Sequence, residues 1–460
     1  MCSKLLCFLS LLLRQRIKLD KAHHSALGEG YIGDSRGQVR GATQYNIGYL
    51  LQERHVMAII NARDFGAKGD GCTLDTESIQ KAIDACNKGD TLLLGGKGFF
   101  LCGTLRLKGD MTLYIEKGTE LVGSRNLDHY YANEFYHNEM VKTISLIYAL
   151  DCDNIEITGG GKIQMNGDAF VNFDAWCPDE TPRETMTKEF EEQTVVGPET
   201  KITRPSQPIF FNNCKNVHVH DLKIFNSPCW TVTFSNCENI VFENMYVDNH
   251  NRIANNDGVH FSASRNIIVR NCTFLCGDDC FAATCITNTQ GVCENIEVYD
   301  CLMSSRSAAI RFGHLYSVVR NVKVHDIKIL PSNRGISIFS GDDGIVSDVH
   351  IYNIDCETRI FAGGWWGKGE GFVICSSNTT GKIENVLIEN CKFIEENPSL
   401  VSGAKNVTLR NCALEYKKGN THPYFYGKMD LQPNHPKLLN APFAIGDTLY
   451  VEECDSLVRE

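Results

Sequence analysis

The chain has 460 residues, 43% of them hydrophobic, with 45 Lys and Arg against 56 Asp and Glu and a formal net charge of -11. That balance excludes a general attraction to nucleic acid, and the apolar content suffices for a large buried core. The first strongly apolar run, Leu5–Leu13, is too short to cross a bilayer, so no membrane partner is expected.

As a secretory signal the same run is weak, because its basic residues mostly follow it and no A-x-A cleavage site appears. Many of the 21 cysteines recur inside a repeated Asn-Cys pattern, and none stands at zinc-like Cys/His spacings. Disulfides or a metal are one reading. Stacked buried thiols in a reducing cell are the favoured one, since free Cys packs as a small hydrophobe. The expected setting is cytoplasmic, or secreted if residues 1–20 act as a signal peptide, and no metal or cofactor is expected.

Residues 14–56 show no repeat, and at Met57 the text changes to MAIINARDFGAKGDG. Residues 1–56 are expected to be a non-native or disordered extension, 57–416 the main domain, and 417–460 a tail packing on its end. From Ile59 the order is strand, Gly-rich turn, then Asp75-Thr76 as N-cap of a helix over Glu77–Asn87. Ile79, Ala82, Ile83 and Cys86 share one face of it, which suits a cap over the open end of a stack. Strands are predicted at Thr91–Leu94, Gly103–Leu107 and Met111–Ile115.

A repeat then governs the chain. Asn154, Asn216, Asn239, Asn266, Asn295, Asn321, Asp348, Asn385 and Asn406 each open a short run of alternating β-branched and polar residues. From Asn216 the steps are 23, 27, 29, 26, 27, 37 and 21 residues. A β-propeller needs longer repeats and a leucine-rich repeat needs its Leu consensus, so an all-β, right-handed parallel β-helix with a short capping helix fits best. An Asn at the same turn of every coil can form an amide ladder and tolerates the left-handed region. Asp168–Ser206 and Phe361–Phe372 interrupt the period, and such insertions flank the binding face of a solenoid.

Asp257 precedes the pair Asp278-Asp279 by 21 residues, about one coil, which would set Asp257 and Asp278 at equivalent places one strand spacing (about 4.8 Å) apart. Three carboxylates in one patch cannot all ionise freely, and a proton-holding acid beside ionised bases suits glycoside hydrolysis. The plainer reading is that these aspartates cap backbone groups at turns. Cys276 and Cys280, beside the pair, read as inward-facing packing.

Four passages carry a resemblance that spans about Ile59 to Cys412: Arg63–Cys86, Asn226-Ser227-Pro228-Cys229-Trp230, Asn255-Asn256-Asp257-Gly258, and Gly277-Asp278-Asp279-Cys280. The chain resembles the pectin-degrading glycoside hydrolases of family 28, the polygalacturonase-like enzymes, with Asn256 where their N-T-D-G motif has Thr. The resemblance implies a right-handed parallel β-helix, hydrolysis with inversion, Asp278 as general acid, Asp257 and Asp279 activating water, and an oligo- or polysaccharide partner.

Two family motifs are altered. For the G-H-G that follows the aspartates, one register offers Gly313-His314-Leu315. The preferred one, keeping inward alternation, puts Ser307-Ala308-Ala309 there. At the carboxylate-binding R-I-K stand Ser337-Ile338-Phe339, so both cations are gone. Unsubstituted polygalacturonate is then expected to be a poor substrate unless Arg311, Arg334 or Arg359 supplies the charge. Asn255, Trp365, Trp366, Glu370, Arg311, Arg334 and His314 are the candidate substrate contacts, the tryptophans as a sugar platform or as a plug packing the loop. Trp230 reads as core. A lyase, a glycosyl transferase and a non-catalytic glycan-binding β-helix are the alternatives.

Overall fold

Short β-branched and aromatic runs wind into a parallel solenoid whose strands pair with their equivalents on the next coil, while Val171–Trp176 with Pro198–Thr200 and Lys428–Asp430 with Leu438–Asn440 form two separate antiparallel pairs. The computed structural model describes residues 57–133, 143–176, 198–200, 203–286, 291–361, 367–376, 380–418, 428–430, 438–440 and 446–460, all within the unit His55–Glu460. The expected extension 1–56 lies outside the described residues. The fold is a right-handed parallel β-helix, as the repeat predicts.

The sheet that matters for the site has 11 strands among the described residues. Its middle is Val232–Ser235, Val259–Ser262, Phe281–Thr284, Ala308–Phe312, Arg334–Ser340 and Glu370–Ser376, all in parallel. Alternate residues face inward, so like stacks on like. Ring centroids of Phe211, Phe234, Phe261, Phe281 and Phe312 follow one another at 4.9, 5.1, 5.5 and 5.7 Å. Each fully buried Phe contributes roughly 1.5–3 kcal/mol by removal from water.

The first coil is covered by a helix, α1, over Thr76–Ala85, whose buried Ile79, Ala82 and Ile83 face the core as the periodicity predicts. Its cap differs from expectation. The Asp75 carboxylate makes no bond to the helix. It accepts instead from the N–H groups of Lys68 and Gly69 at 2.7 and 2.9 Å, tying the preceding glycine turn to the start of the helix. At the other end Leu449–Glu452 and Leu457–Arg459 pair in parallel with Ser399–Ser402 and Lys405–Arg410, so the tail adds strands to both sheets.

The described cysteines are all free thiols. Those of the Asn-Cys or Asp-Cys turns, such as Cys237, Cys272 and Cys301, point their thiols at the carbonyl two residues back at 3.2, 3.1 and 3.2 Å.

The amide ladder forms. Asn216, Asn239, Asn266, Asn295 and Asn321 hold φ of 56, 59, 57, 57 and 54°. Each side-chain N–H donates to the amide oxygen one coil earlier, at 2.9, 3.0, 2.9, 2.9 and 2.6 Å. The ladder starts on Asp110, which accepts from Asn154 at 2.7 Å. Asp348 has no N–H to pass down, so the ladder restarts there, with Asn385 donating to it at 2.9 Å.

Asn266→Ala removes a bond on each side and places a Cβ residue in the left-handed region. It should destabilise the protein by about 1–3 kcal/mol in denaturant titration. Asn266→Gly keeps the backbone and should be the milder change by about 1 kcal/mol. Equal midpoints for the two variants would show that the left-handed turn contributes nothing.

Candidate active site

The three aspartates sit where two coils enter the 11-strand sheet. Val259 pairs with Phe281, an offset of 22, so Asp257 is equivalent to Asp279 and Asn256 to Asp278. This corrects the expected match of Asp257 with Asp278. The coil is one residue longer than the gap between those two acids, and the backbone confirms it, Gly258 N–H donating to Asp279 C=O at 2.8 Å.

The small and amide residues of the motifs hold this corner shut. The Asn256 side chain accepts from Gly277 N–H at 2.7 Å and donates to His250 C=O at 2.6 Å, stitching the two coils together. A Cβ on Gly277 would lie 2.5 Å from Asn256 Oδ1, and one on Gly258 would lie 2.4 Å from Cys280 C=O, so both positions require glycine. Ser227 N–H donates to Asn249 Oδ1 at 2.9 Å, and Asn249 Nδ2 reaches Thr231 and the Asn256 carbonyl at 2.8 and 3.0 Å.

Within this frame all three carboxylates are buried, Asp257, Asp278 and Asp279 being 2, 3 and 1% exposed. Asp278 accepts from Asn255 N–H at 3.2 Å and from Asp279 N–H at 2.9 Å. Asp279 accepts from Ala308 N–H at 3.2 Å and from Arg311 Nη1 at 3.3 Å. Asp257 Oδ2 meets His260 Nδ1 at 3.2 Å, while its Oδ1 is buried with no hydrogen-bond partner. Burial first, then the charges of Asp278 and Asp279, raises the Asp257 carboxyl well above the usual range. Burial, with Asp278 beside it, pushes Asp279 up to about 7 against the pull of Arg311. Asp257 and Asp279 therefore hold their protons more tightly than free carboxyls do.

The other predicted residues divide. Arg311 is in the cluster, and the neighbouring His314, 4% exposed, meets its Nη2 through Nδ1. Burial and then the Arg311 charge lower that imidazole to about 3, so it is neutral and accepts from the guanidinium. Asn255 is in the cluster through its backbone, with φ of 61°. The pairing Phe281–Ile310 sets Ser307-Ala308-Ala309 against Asp278-Asp279-Cys280, so His314 belongs to the following turn.

Arg334 and Glu370, expected as substrate contacts, are a correction. They are equivalent residues on adjacent coils, 0 and 1% exposed at their side chains, and paired at 3.3 Å, which turns each charge toward the other rather than the groove. Trp365 and Trp366 lie outside the described residues.

Two groups escaped the sequence. His260 is wholly buried, stacked on Trp230 with centroids 4.2 Å apart, and joins Asp257 to Thr284 Oγ1 at 2.9 Å. Trp230 is thus buried as expected, yet it also orients a histidine that touches the cluster. Arg204, at the end of the first insertion, donates to Asn255 Oδ1 at 3.2 Å. His260 could have been found from its position three residues after Asp257 on an outward-alternating strand. Nothing in the spacing points to Arg204.

The chain is a parallel β-helix that carries an acid cluster where two adjacent coils enter the middle of the 11-strand sheet. The sequence profile of Glycosyl hydrolases family 28 matches residues 93–360, more than half of the chain, and the chain belongs to that family. An exo-poly-alpha-D-galacturonosidase of Dickeya chrysanthemi is 34% identical over 251 residues, 49% of this chain and 41% of that protein. A probable polygalacturonase of Vitis vinifera is 24% identical over 363 residues, 73% and 66% of the two chains. The chain thus spans 41 to 66% of the length of these relatives. Among solved structures, a family 28 exopolygalacturonase of Yersinia enterocolitica superposes with a TM-score of 0.62 at 18% identity, covering 87% of this chain and 78% of that one. The polygalacturonase of Erwinia carotovora gives 0.56 at 20%, covering 85% and 99%. These two show the shared fold.

A carboxyl whose proton is held more tightly in the fold than in the unfolded chain stabilises the fold most at low pH. For Asp279 that contribution is complete below the unfolded value of 3.8 and is lost as pH rises through about 7. Asp279→Asn should therefore flatten the decline of thermal midpoint between pH 4 and pH 8. Parallel curves for the variant and the parent would refute the buried, proton-holding state of Asp279.

Proposed function

We propose that the protein hydrolyses O-glycosidic bonds in pectic, galacturonate-containing glycans, with inversion at the anomeric carbon. The observation that carries this reading is the set of three buried aspartates brought together on two adjacent coils, at the family's N-x-D-G and G-D-D positions. In this reading Asp278, oriented by two backbone N–H groups, delivers a proton to the leaving oxygen. In the productive state the proton retained by the cluster sits on Asp278, and Asp257 and Asp279, then ionised, hold and deprotonate the attacking water. The vacant acceptor on Asp257 Oδ1 suits that task, since a buried carboxylate oxygen without a partner gains most from a new hydrogen bond. Arg311 keeps one Asp279 oxygen fixed, and neutral His314 steadies Arg311 without adding a second positive charge. The relatives' names, exo-poly-alpha-D-galacturonosidase and probable polygalacturonase, support the choice of glycan.

Asp278→Asn should lower kcat on oligogalacturonates by about 10²–10⁴ while substrate binding persists. Proton NMR of fresh product from the parent protein should show the anomer opposite to the bond cleaved. Turnover near the parental rate in Asp278→Asn would remove Asp278 from the acid role. A retained anomer would make one aspartate a nucleophile.

A further inference from the structure

A second cluster of titratable groups stands on the outer face of the 23-strand sheet, away from the three aspartates. It is built on three successive strands, Ile155–Thr158, Lys215–His220 and Glu238–Glu243. Register brings it together: His218 lies opposite Glu156 on one side and Val241 on the other, and His220 lies opposite Glu243. The two histidines are two apart on one strand, so both project from the same face. Their rings overlap, with centroids 3.9 Å apart. Each then reaches diagonally. His220 Nε2 meets Glu156 Oε1 at 3.0 Å, and His218 Nε2 meets Glu243 Oε1 at 2.8 Å. No local spacing announces this meeting, since Glu156 stands 64 positions before His220.

Three of the four side chains have their other polar atom held from behind. Thr112 Oγ1 donates to Glu156 Oε2 at 2.8 Å, Arg270 Nε donates to Glu243 Oε2 at 2.6 Å, and Asp221 Oδ2 meets His220 Nδ1 at 2.7 Å. A carboxylate behind an imidazole is the common support of a metal-ligating histidine. One ligand atom from each of Glu156, His218 and His220 lies within 4.8 Å of the other two, and among the described residues no other set of His, Cys, Asp or Glu side chains converges in this way. An ion held about 2.0–2.2 Å from each ligand sets tetrahedral donors roughly 3.4 Å apart, so small side-chain rotations close the site. The side chains of Glu156 and His218 are 41 and 37% exposed, which leaves an entry path.

The chain contains its own comparison. Further along, Glu297 lies opposite Lys323, and His325 meets Glu297 and Asp326 at 3.6 and 2.7 Å. There a lysine stands where His218 stands here, and the His325 ring is stacked between Tyr299 and Tyr352. A ladder of ion pairs forms without a second imidazole. The cluster at His218 has one.

We propose that Glu156, His218 and His220, with Glu243 as a fourth donor, bind one divalent transition-metal ion of the zinc type, which clips together the coils on either side of the insertion Asp168–Ser206. Imidazole nitrogens combined with carboxylate oxygens suit zinc and its neighbours, whereas calcium and magnesium prefer oxygen alone. The cation takes the place of the proton that each imidazole shares with its carboxylate. The site is independent of the hydrolase reading.

The test titrates the full chain, stripped with a chelator, with zinc in a calorimeter, and repeats the titration with calcium. Because the chain has free thiols, one equivalent of cobalt(II) is added in parallel, and its absorption spectrum reports whether sulfur is a ligand. Glu156→Gln and His218→Gln stand on different strands, and metal-free melting checks that each is folded, so one folded variant suffices. His325→Gln is the comparison variant. The expected result is one zinc ion bound with a Kd of about 1 μM or tighter, and calcium bound at least about 100-fold more weakly. Zinc affinity falls by about 100-fold or more in Glu156→Gln and His218→Gln, and by under about 2-fold in His325→Gln. Zinc raises the thermal midpoint of the parent and not of the first two variants. Absence of zinc binding in the parent, binding that survives both substitutions, an equal loss in His325→Gln, or a thiolate band in the cobalt spectrum each overturns the site.

Discussion

Everything in this protein depends on parallel stacking at about one strand spacing, because each side chain must live beside its own equivalent on the next coil. The outcome depends on chemistry. Phenylalanine gains a neighbour to stack on, and asparagine gains a donor and an acceptor. Carboxylate meets carboxylate and is driven to keep a proton. One column shows the range: Asp257 and Asp279, then Ala308, then Arg334 and Glu370. The first two are the strained pair, the alanine separates them from the ion pair beyond it, and the last two cancel. Reactivity and inertness are set by which residues occupy successive positions of the same column.

Stacking also explains why some features of the chain can be read directly. The Asn-led runs announce themselves because a solenoid repeats one solution, and α1 does so because a cap must be apolar on one side. The motif around Asp278 is legible for a similar reason: Gly277 and Asn256 are required by close backbone approach. The exact partner of Asp257 was not legible, since one residue more or less in a turn shifts every match beyond it. Arg334 reads as an available cation until register places Glu370 on it, 36 residues later. Arg204 reaches Asn255 from 51 positions away across an insertion, and no local pattern encodes such a meeting.

The cluster carries one close guanidinium, that of Arg311, and the imidazole beside it stays uncharged. Lowered well below its usual range, His314 lends orientation to Arg311 without competing for Asp279. His260 is clamped between an aromatic face and a hydroxyl, which limits how Asp257 can turn. Fixed groups of this kind need little reorganisation when charge develops, and that is the usual source of an advantage over water.

The gap in the amide ladder at Asp348 has a bearing on how the solenoid comes apart. Backbone pairing continues across it, as between Val322 and Val349, but the rail of side-chain amides does not. Fraying that begins at the C-terminal coils meets a seam there, where the clasp passes to the next turn of the coil, Asn353 donating to Asp326 at 3.0 Å. Asp257, Asp278, Asp279 and Arg311 all lie on the near side of that seam, inside an unbroken run. The last coils can loosen and re-form, as ends of linear arrays do, while the acid cluster stays seated in its own continuous zipper.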